Sequence, residues 1–141
     1  MASFKKGDQV EVCSKQEGFL GSYYSATVVN QLGPKAYAVE YETLVEEEDE
    51  SVPLVEVAAA DELRPTPPRL RLGGSGFCLD DKVDVFANDG WWVGQITEKR
   101  GSTTYFVYFA STGEEIPYNG SLLRAHLDWV DGRWVSSKRR D

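Results

Sequence analysis

KGDQVEV at residues 6–12 and LDDKVDV at residues 79–85 are two versions of one short stretch. The likeness continues outward. GSYYSATV (21–28) is echoed by DGWWVGQI (89–96), AYAVEYETL (36–44) by TYFVYFAST (104–112), and ELRP (62–65) by LLRA (122–125). The offset is 73 residues from Val10 to Val83, 68 from Tyr24 to Trp92 and from Tyr41 to Phe109, and 60 from Leu63 to Leu123. An offset that shrinks in steps means two copies of one unit joined by loops of different length, because core strands keep their spacing while surface loops absorb insertions.

The 141 residues therefore divide into two small domains, 1–68 and 77–141, around a linker at 69–76 that runs from Pro65-Thr-Pro-Pro68 through Arg-Leu-Arg-Leu to Gly73-Gly-Ser-Gly76. Such a linker has stiff and flexible parts. Domains this small bury little surface alone, so the two copies are expected to pack on each other. No run of about 18 apolar residues is present to span a membrane. One His and two Cys make a poor zinc site, and no metal or cofactor is expected. Cys13 and Cys78, one at the start of each copy, are expected to stay unbridged. The ending at Ser136-Ser-Lys-Arg-Arg-Asp141 is what a piece cut from a longer chain would show.

The net charge of −8 is unevenly spread. Residues 1–68 carry 13 acids against 5 bases, while residues 69–141 carry 10 of each. Much of the excess lies in Glu46-Glu-Glu-Asp-Glu50. An acidic face repels phosphates, which argues against nucleic acid as the main partner, and it attracts a Lys/Arg-rich peptide. Taken alone, the run reads equally well as a solvated loop.

Alternation places strands. Val10 and Val12 alternate with Gln9 and Glu11; Tyr24, Ala26 and Val28 share one face; so do Tyr37, Val39 and Tyr41. A fourth strand is expected over Val52–Val57 and a helical turn over Ala58–Glu62. In the second copy Val83 and Val85 open the plan, Asn88-Asp-Gly90 is a hairpin signal, and Trp92–Ile96, Tyr105–Phe109 and Ile116–Tyr118 follow. Short strands at turn spacings of about 8–12 residues mean small all-β barrels. Asp128-Trp-Val-Asp-Gly-Arg-Trp134 follows, and is expected to pack back on them.

FKKGDQVEV (4–12), EGFLGSYYSATV (17–28), YAVEYETL (37–44), PLVE (53–56) and ELRPTPP (62–68) together resemble a plant Agenet domain. DDKVDVFANDGWWVGQI (80–96), YFVYF (105–109) and LRAHLDWVDGRW (123–134) resemble the second Agenet of a tandem. The resemblance implies an all-β fold of two Tudor-like (Agenet) small bent β-barrels packed in tandem, with no catalytic activity. It implies recognition of methylated lysine or arginine by an aromatic cage. Tandem plant Agenets of this type resemble readers of methylation at lysine 9 of the histone H3 tail, which implies a nuclear protein of heterochromatin. Similar tandems occur in the animal fragile X proteins.

A methylated ammonium keeps its charge and gains an apolar skin, so it suits a pocket of aromatic faces. Tyr24 begins the second strand and Tyr41 ends the third, near one edge of a hairpin, and Phe19 lies in the loop before Tyr24. Phe19, Tyr24 and Tyr41 are the expected cage. The competing reading is core packing, since Tyr41 and Phe109 are in phase with Val39 and Val107. Tyr37 and Tyr105 are read as core, and Tyr23 as a flanking contact. The second copy offers Trp92 and Phe109 at matched positions, with Trp91 beside them, but has a shorter loop and Ala87 where the family often has an aromatic or His. Glu42, Glu46, Glu47, Glu48, Asp49, Asp84 and Asp89 are candidate contacts for a basic peptide; Asp84 reads alternatively as a solvated strand residue and Asp89 as part of its turn.

Three functions compete: a histone methyl-lysine reader, an adaptor for methyl-arginine or basic peptides, and an RNA-binding tandem, which the acidic first copy opposes. An enzyme has little support. His126 stands without a nucleophile elbow, metal motif or phosphate loop, and is expected to pack the end of a barrel.

Overall fold

The β-branched and aromatic residues of the repeat form strands in both copies. The computed structural model describes residues 4–13, 21–68 and 76–136. The chain divides into two compact units, Met1–Thr66 and Pro67–Asp141. Of the linker expected over 69–76, residues 69–75 lie outside the described residues. Neither Cys13 nor Cys78 is in a disulfide. Among the described residues no helix is long and apolar enough to cross a membrane.

In the first unit β1 (Gln9–Val12), β2 (Ser22–Gly33), β3 (Ala36–Val45), β4 (Pro53–Ala59) and β5 (Leu63–Pro65) pair antiparallel in the order β4-β3-β2-β1-β5. The second unit repeats this. Here β6 (Lys82–Ala87), β7 (Gly90–Arg100), β8 (Thr104–Phe109), β9 (Glu114–Asn119) and β10 (Leu123–Ala125) pair in the order β9-β8-β7-β6-β10. Irregularities recur too. The register slips between Val28 and Asn30 and again between Ile96 and Glu98, positions 68 apart. A bulge bends its strand and lets a short sheet curl over its own core. One 3-10 turn precedes the last strand of each sheet, Ala60–Glu62 and Gly120–Leu122.

All five strands of the second unit supply its core: Val83 and Val85, Ile96, Tyr105, Val107 and Phe109, and Leu123 are buried, with Ile116 and Tyr118 packed against them. Tyr37 and Tyr105, read as core, are buried. Each anchors the chain ahead of the first strand in the same way. The Phe4 N–H donates to the Tyr37 hydroxyl and the Phe77 N–H to the Tyr105 hydroxyl, both at 3.3 Å, with the rings of each pair edge-on at 5.6 Å.

The first strand of each sheet departs from the half-buried alternation read from its sequence. Glu11 and Asp84 are 0% exposed. Arg64 on β5 reaches back to Glu11 Oε1, from Nε at 3.1 Å and Nη2 at 2.8 Å. Arg124 on β10 does the same to Asp84 Oδ2 at 2.8 Å. Both faces of β1 and β6 are therefore covered, one by the apolar core and one by an ion pair. The solvated Asp84 is corrected: its burial is stabilised by the partner that a desolvated carboxylate requires.

Asn88 and Asp89 both adopt positive φ, 51° and 68°, as a two-residue hairpin turn of the primed kind demands, so the turn signal reads directly into structure. The tail segment makes a ribbon of its own rather than another barrel strand. Here β11 (Leu127–Val130) pairs with β12 (Arg133–Ser136) across Asp131-Gly132, and Trp129 sits opposite Trp134 with ring centroids 4.9 Å apart.

Candidate functional site

Strand register brings Tyr24, Tyr41 and Glu56 together. Val12 on β1 is opposite Tyr24, Ala26 is opposite Tyr41, and Val39 is opposite Glu56. Tyr24 is thus diagonal to Tyr41 on the inner face of the β2–β3 hairpin, within reach of aromatic side chains. The rings stand at 88° to one another with centroids 6.4 Å apart. Two rings at right angles make a corner, the geometry in which two negative π faces converge on one cation. Each is 7% exposed, so both also contribute to the core. The Tyr41 hydroxyl donates to Glu56 Oε1 at 3.1 Å. Burial, and then the Glu56 carboxylate, hold the Tyr41 phenol well above its ordinary value, so it stays neutral and remains a donor. Phe19, the expected third wall, lies outside the described residues.

Glu56 was not singled out from the sequence. It sits in a run, Pro53-Leu-Val-Glu-Val-Ala-Ala59, whose neighbours Val55 and Val57 look more core-like. In the fold those valines are exposed, and Glu56, exposed as well, lies in the strand phase of half-buried Leu54 and buried Ala58, from which it reaches the Tyr41 hydroxyl.

The matched site in the second unit is apolar. Val85 is opposite Trp92 and Val107 opposite Ile116, which places Ile116 where the first unit has Glu56. Phe109 is buried and stands edge-on to Tyr118 at 6.1 Å. The Trp92 Nε1–H donates to the Ala87 carbonyl at 2.9 Å, which fixes the indole against its own hairpin. Gly94 lies where the first unit has Ala26; a Cβ there would run into the Val107 side chain. The bulkier set is accommodated by removing one methyl.

On the opposite face, Tyr23 and Trp91 occupy matched positions and do matched work. The Arg64 guanidinium stacks 3.5 Å above the Tyr23 ring, and that of Arg124 4.1 Å above Trp91, whose ring also meets Phe86 at 5.2 Å. Each flanking aromatic therefore lids a buried ion pair. In the second unit the pair is extended by His126, whose Nδ1 is 2.7 Å from Asp84 Oδ1 and whose Nε2 is 2.9 Å from Asp128 Oδ1. Burial pushes the imidazole pKa down, but the hydrogen bonds and charges of Asp84 and Asp128 outweigh it and raise the value. A carboxylate at each nitrogen favours the imidazolium, the form that can donate to both. These networks were missed as such, yet carry a signal: Glu11/Asp84 and Arg64/Arg124 keep opposite charge at matched positions of the repeat.

Among the candidate peptide contacts, Glu42, Glu46, Glu47, Glu48, Asp49 and Asp89 are exposed. Asp84 is spent on Arg124 and His126 and offers nothing to a ligand at the surface. The acidic run is a folded turn: Glu46 N–H reaches the Val52 carbonyl, and Asp49 Oδ1 accepts from the Ser51 N–H and hydroxyl at 3.0 and 2.6 Å. Those bonds hold the Asp49 carboxyl below its usual range.

Comparison with known proteins agrees with this geometry. The Agenet domain family matches residues 7–68. Protein AGENET DOMAIN (AGD)-CONTAINING P1 of Arabidopsis thaliana is 40% identical over 131 residues, which is 93% of this chain but only 25% of that protein. The chain thus spans about a quarter of the length of that relative. The crystal structure of Arabidopsis thaliana AGDP1 AGD34 superposes with a TM-score of 0.88 at 38% identity, covering 94% of this chain and 89% of that one. The crystal structure of ADCP1 tandem Agenet domain 3-4 gives 0.84 at 35% identity, covering 96% and 89%. With its strand order, its bulges and its ion pairs present twice, and with relatives of this identity aligned across both copies, the chain belongs to the Agenet family as a tandem Agenet protein.

Proposed function

We propose that this chain is a non-catalytic chromatin reader of the nucleus, which binds a histone H3 tail methylated at lysine 9 through a cage of Phe19, Tyr24 and Tyr41 in its first Agenet copy. The single observation that carries the reading is the perpendicular Tyr24–Tyr41 pair closed on one side by Glu56. Aromatic faces attract a methylated ammonium and accept its methyl groups. A carboxylate in the wall adds a charge-assisted acceptor for an ammonium N–H, which a dimethyl-lysine has and a trimethyl-lysine lacks. Dimethyl-lysine is accordingly the favoured ligand. The second unit offers Ile116 in place of Glu56, and its charge is balanced, which favours the first copy as the holder of the cage. Glu42, Glu46, Glu47, Glu48, Asp49 and Asp89 are exposed and suited to steer and flank a basic tail.

Titration calorimetry with H3 peptides carrying zero to three methyl groups on lysine 9 tests this, alongside circular dichroism of each variant. Tyr24→Ala should weaken dimethyl-peptide binding about two- to thirtyfold, from roughly 0.5–2 kcal/mol per aromatic face, while the chain stays folded. A folded Tyr24→Ala protein that binds with undiminished affinity would sink the cage. Equal affinity for the unmodified peptide would favour the basic-peptide adaptor instead.

A further inference from the structure

We infer that the outer edge of β4 in the first unit is a docking edge for an extended protein segment in which lysine or arginine alternates with apolar residues. Among the described residues β4 pairs with β3 and with no other strand. The direction of its backbone follows from the ladder. The Ala60 N–H donates to the Lys35 carbonyl at 2.9 Å, and hydrogen-bonded pairs alternate along an antiparallel ladder. Ala58 and Glu56, opposite Tyr37 and Val39, therefore turn their backbone groups to β3, and Val55, Val57 and Ala59 turn theirs outward. The Ala59 N–H is taken by Glu62 Oε1 at 3.1 Å. Val55 and Val57 are left presenting amides to the edge.

The second unit shows what a closed edge looks like. Its outermost strand, β9, carries Pro117 opposite Phe106, where β4 has Val57 opposite Ala38. Proline has no N–H, and edge prolines are a common device against strand addition. At the matched position the first copy has no proline, its own Pro53 standing at the start of β4, and apolar surface is added there instead. Val55 is 49% and Val57 67% exposed, with Val45 and Val52 exposed nearby.

Charge selects the occupant. Residues 40–62 hold ten acids and no lysine or arginine. Two copies pairing edge to edge would bring both sets together, so self-association is opposed. A basic strand is favoured. Its apolar residues would extend the outward face of Val55 and Val57, and its lysines or arginines would lie on the face of Glu56, since side chains alternate across a sheet. Strand addition of this kind takes affinity from main-chain bonds and specificity from alternate side chains. It needs neither Tyr24 nor a methyl group.

Amide hydrogen exchange on the full chain tests the edge with an acetylated, amidated Lys-Val-Lys-Val-Lys-Val peptide, with Glu-Val-Glu-Val-Glu-Val as charge control. The basic peptide should slow exchange at Val55 and Val57 at least about fivefold, as one backbone hydrogen bond each implies, and the acidic one should not. Val57→Pro should cut affinity about five- to tenfold. Val57→Lys, a change at an exposed side chain, should weaken the basic peptide too. No slowing at these two amides under saturating basic peptide overturns the proposal. So does unchanged affinity in both variants, equal protection by the acidic peptide, or protection that rises with protein concentration alone, which would mark the edge as self-pairing. Tyr24→Ala separates this from the cage: it should weaken methyl-peptide binding and leave these amides responsive.

Discussion

The two copies share a fold to the level of individual bulges, and they differ at the end of the inner wall and along the outer edge strand. The first copy ends its inner wall in Tyr41 bonded to Glu56; the second ends it in Phe109 against Ile116 and Tyr118. The first copy leaves the amide of Val57 on its outer edge; the second puts Pro117 there. What they keep in common is the buried ion pair, Glu11–Arg64 in one and Asp84–Arg124 in the other. The buried ion pairs are duplicated, while the Tyr41–Glu56 bond and the outward amide of Val57 belong to the first copy alone among the described residues.

The largest effect should come from breaking what is shared. Asp84→Ala leaves Arg124 and an imidazolium buried without their carboxylate, and should cost about 3–5 kcal/mol. Denaturant melts of Asp84→Ala beside Glu11→Ala would compare the two networks. The second-copy variant should lose more, since two cations depend on Asp84. Equal losses would mean that His126 adds nothing to the pair.

Gly94→Ala asks whether the apolar second site is as tightly fitted as its register suggests. The new methyl meets Val107, so stability should fall by about 1–3 kcal/mol. Ala26→Gly, the reciprocal change, should cost about 1 kcal/mol through strand entropy and a lost contact. A neutral Gly94→Ala would show that the second core has slack.

A smaller and more selective change is Glu56→Gln. It keeps an acceptor for the Tyr41 hydroxyl and removes the charge. Dimethyl-peptide affinity should drop about fivefold and trimethyl affinity much less, since only the former has an N–H for the carboxylate. A uniform loss for both would reduce Glu56 to a support for Tyr41.

The last test concerns pH. The folded-state pKa of His126 is raised above its ordinary 6.5, so the network binds its proton more tightly than the unfolded chain does. Its contribution is fully present below 6.5 and is lost as pH rises through the folded value. Melting temperature should therefore fall across that window in the native chain, and the slope should flatten in His126→Gln. A slope unchanged by the substitution would assign the titration to another group.

How much of this was legible beforehand differs by element. The repeat offsets placed four strands in each copy, because alternation marks a strand with one wet face. They left β5 and β10 unresolved, because three residues are too few for a period. Asn88-Asp-Gly90 declared its turn, since few residues tolerate positive φ. Asp84 misled, since an acid between two valines is normally the wet phase of a strand, and only a distant arginine reverses that.

By itself the sequence determined the duplication, the all-β class, the family and the pairing of Tyr24 with Tyr41, all of which depend on spacing along one chain. Only the tertiary structure decided that Glu56 belongs beside Tyr41, that Glu11 and Asp84 are interior, and that Val57 stands where the other copy has proline at its edge. Those facts depend on which strand lies next to which, and on register. A one-residue slip would move Glu56 away from Tyr41 and put a valine in the phase of buried Ala58, and nothing local to Pro53–Ala59 records which phase its neighbour imposes.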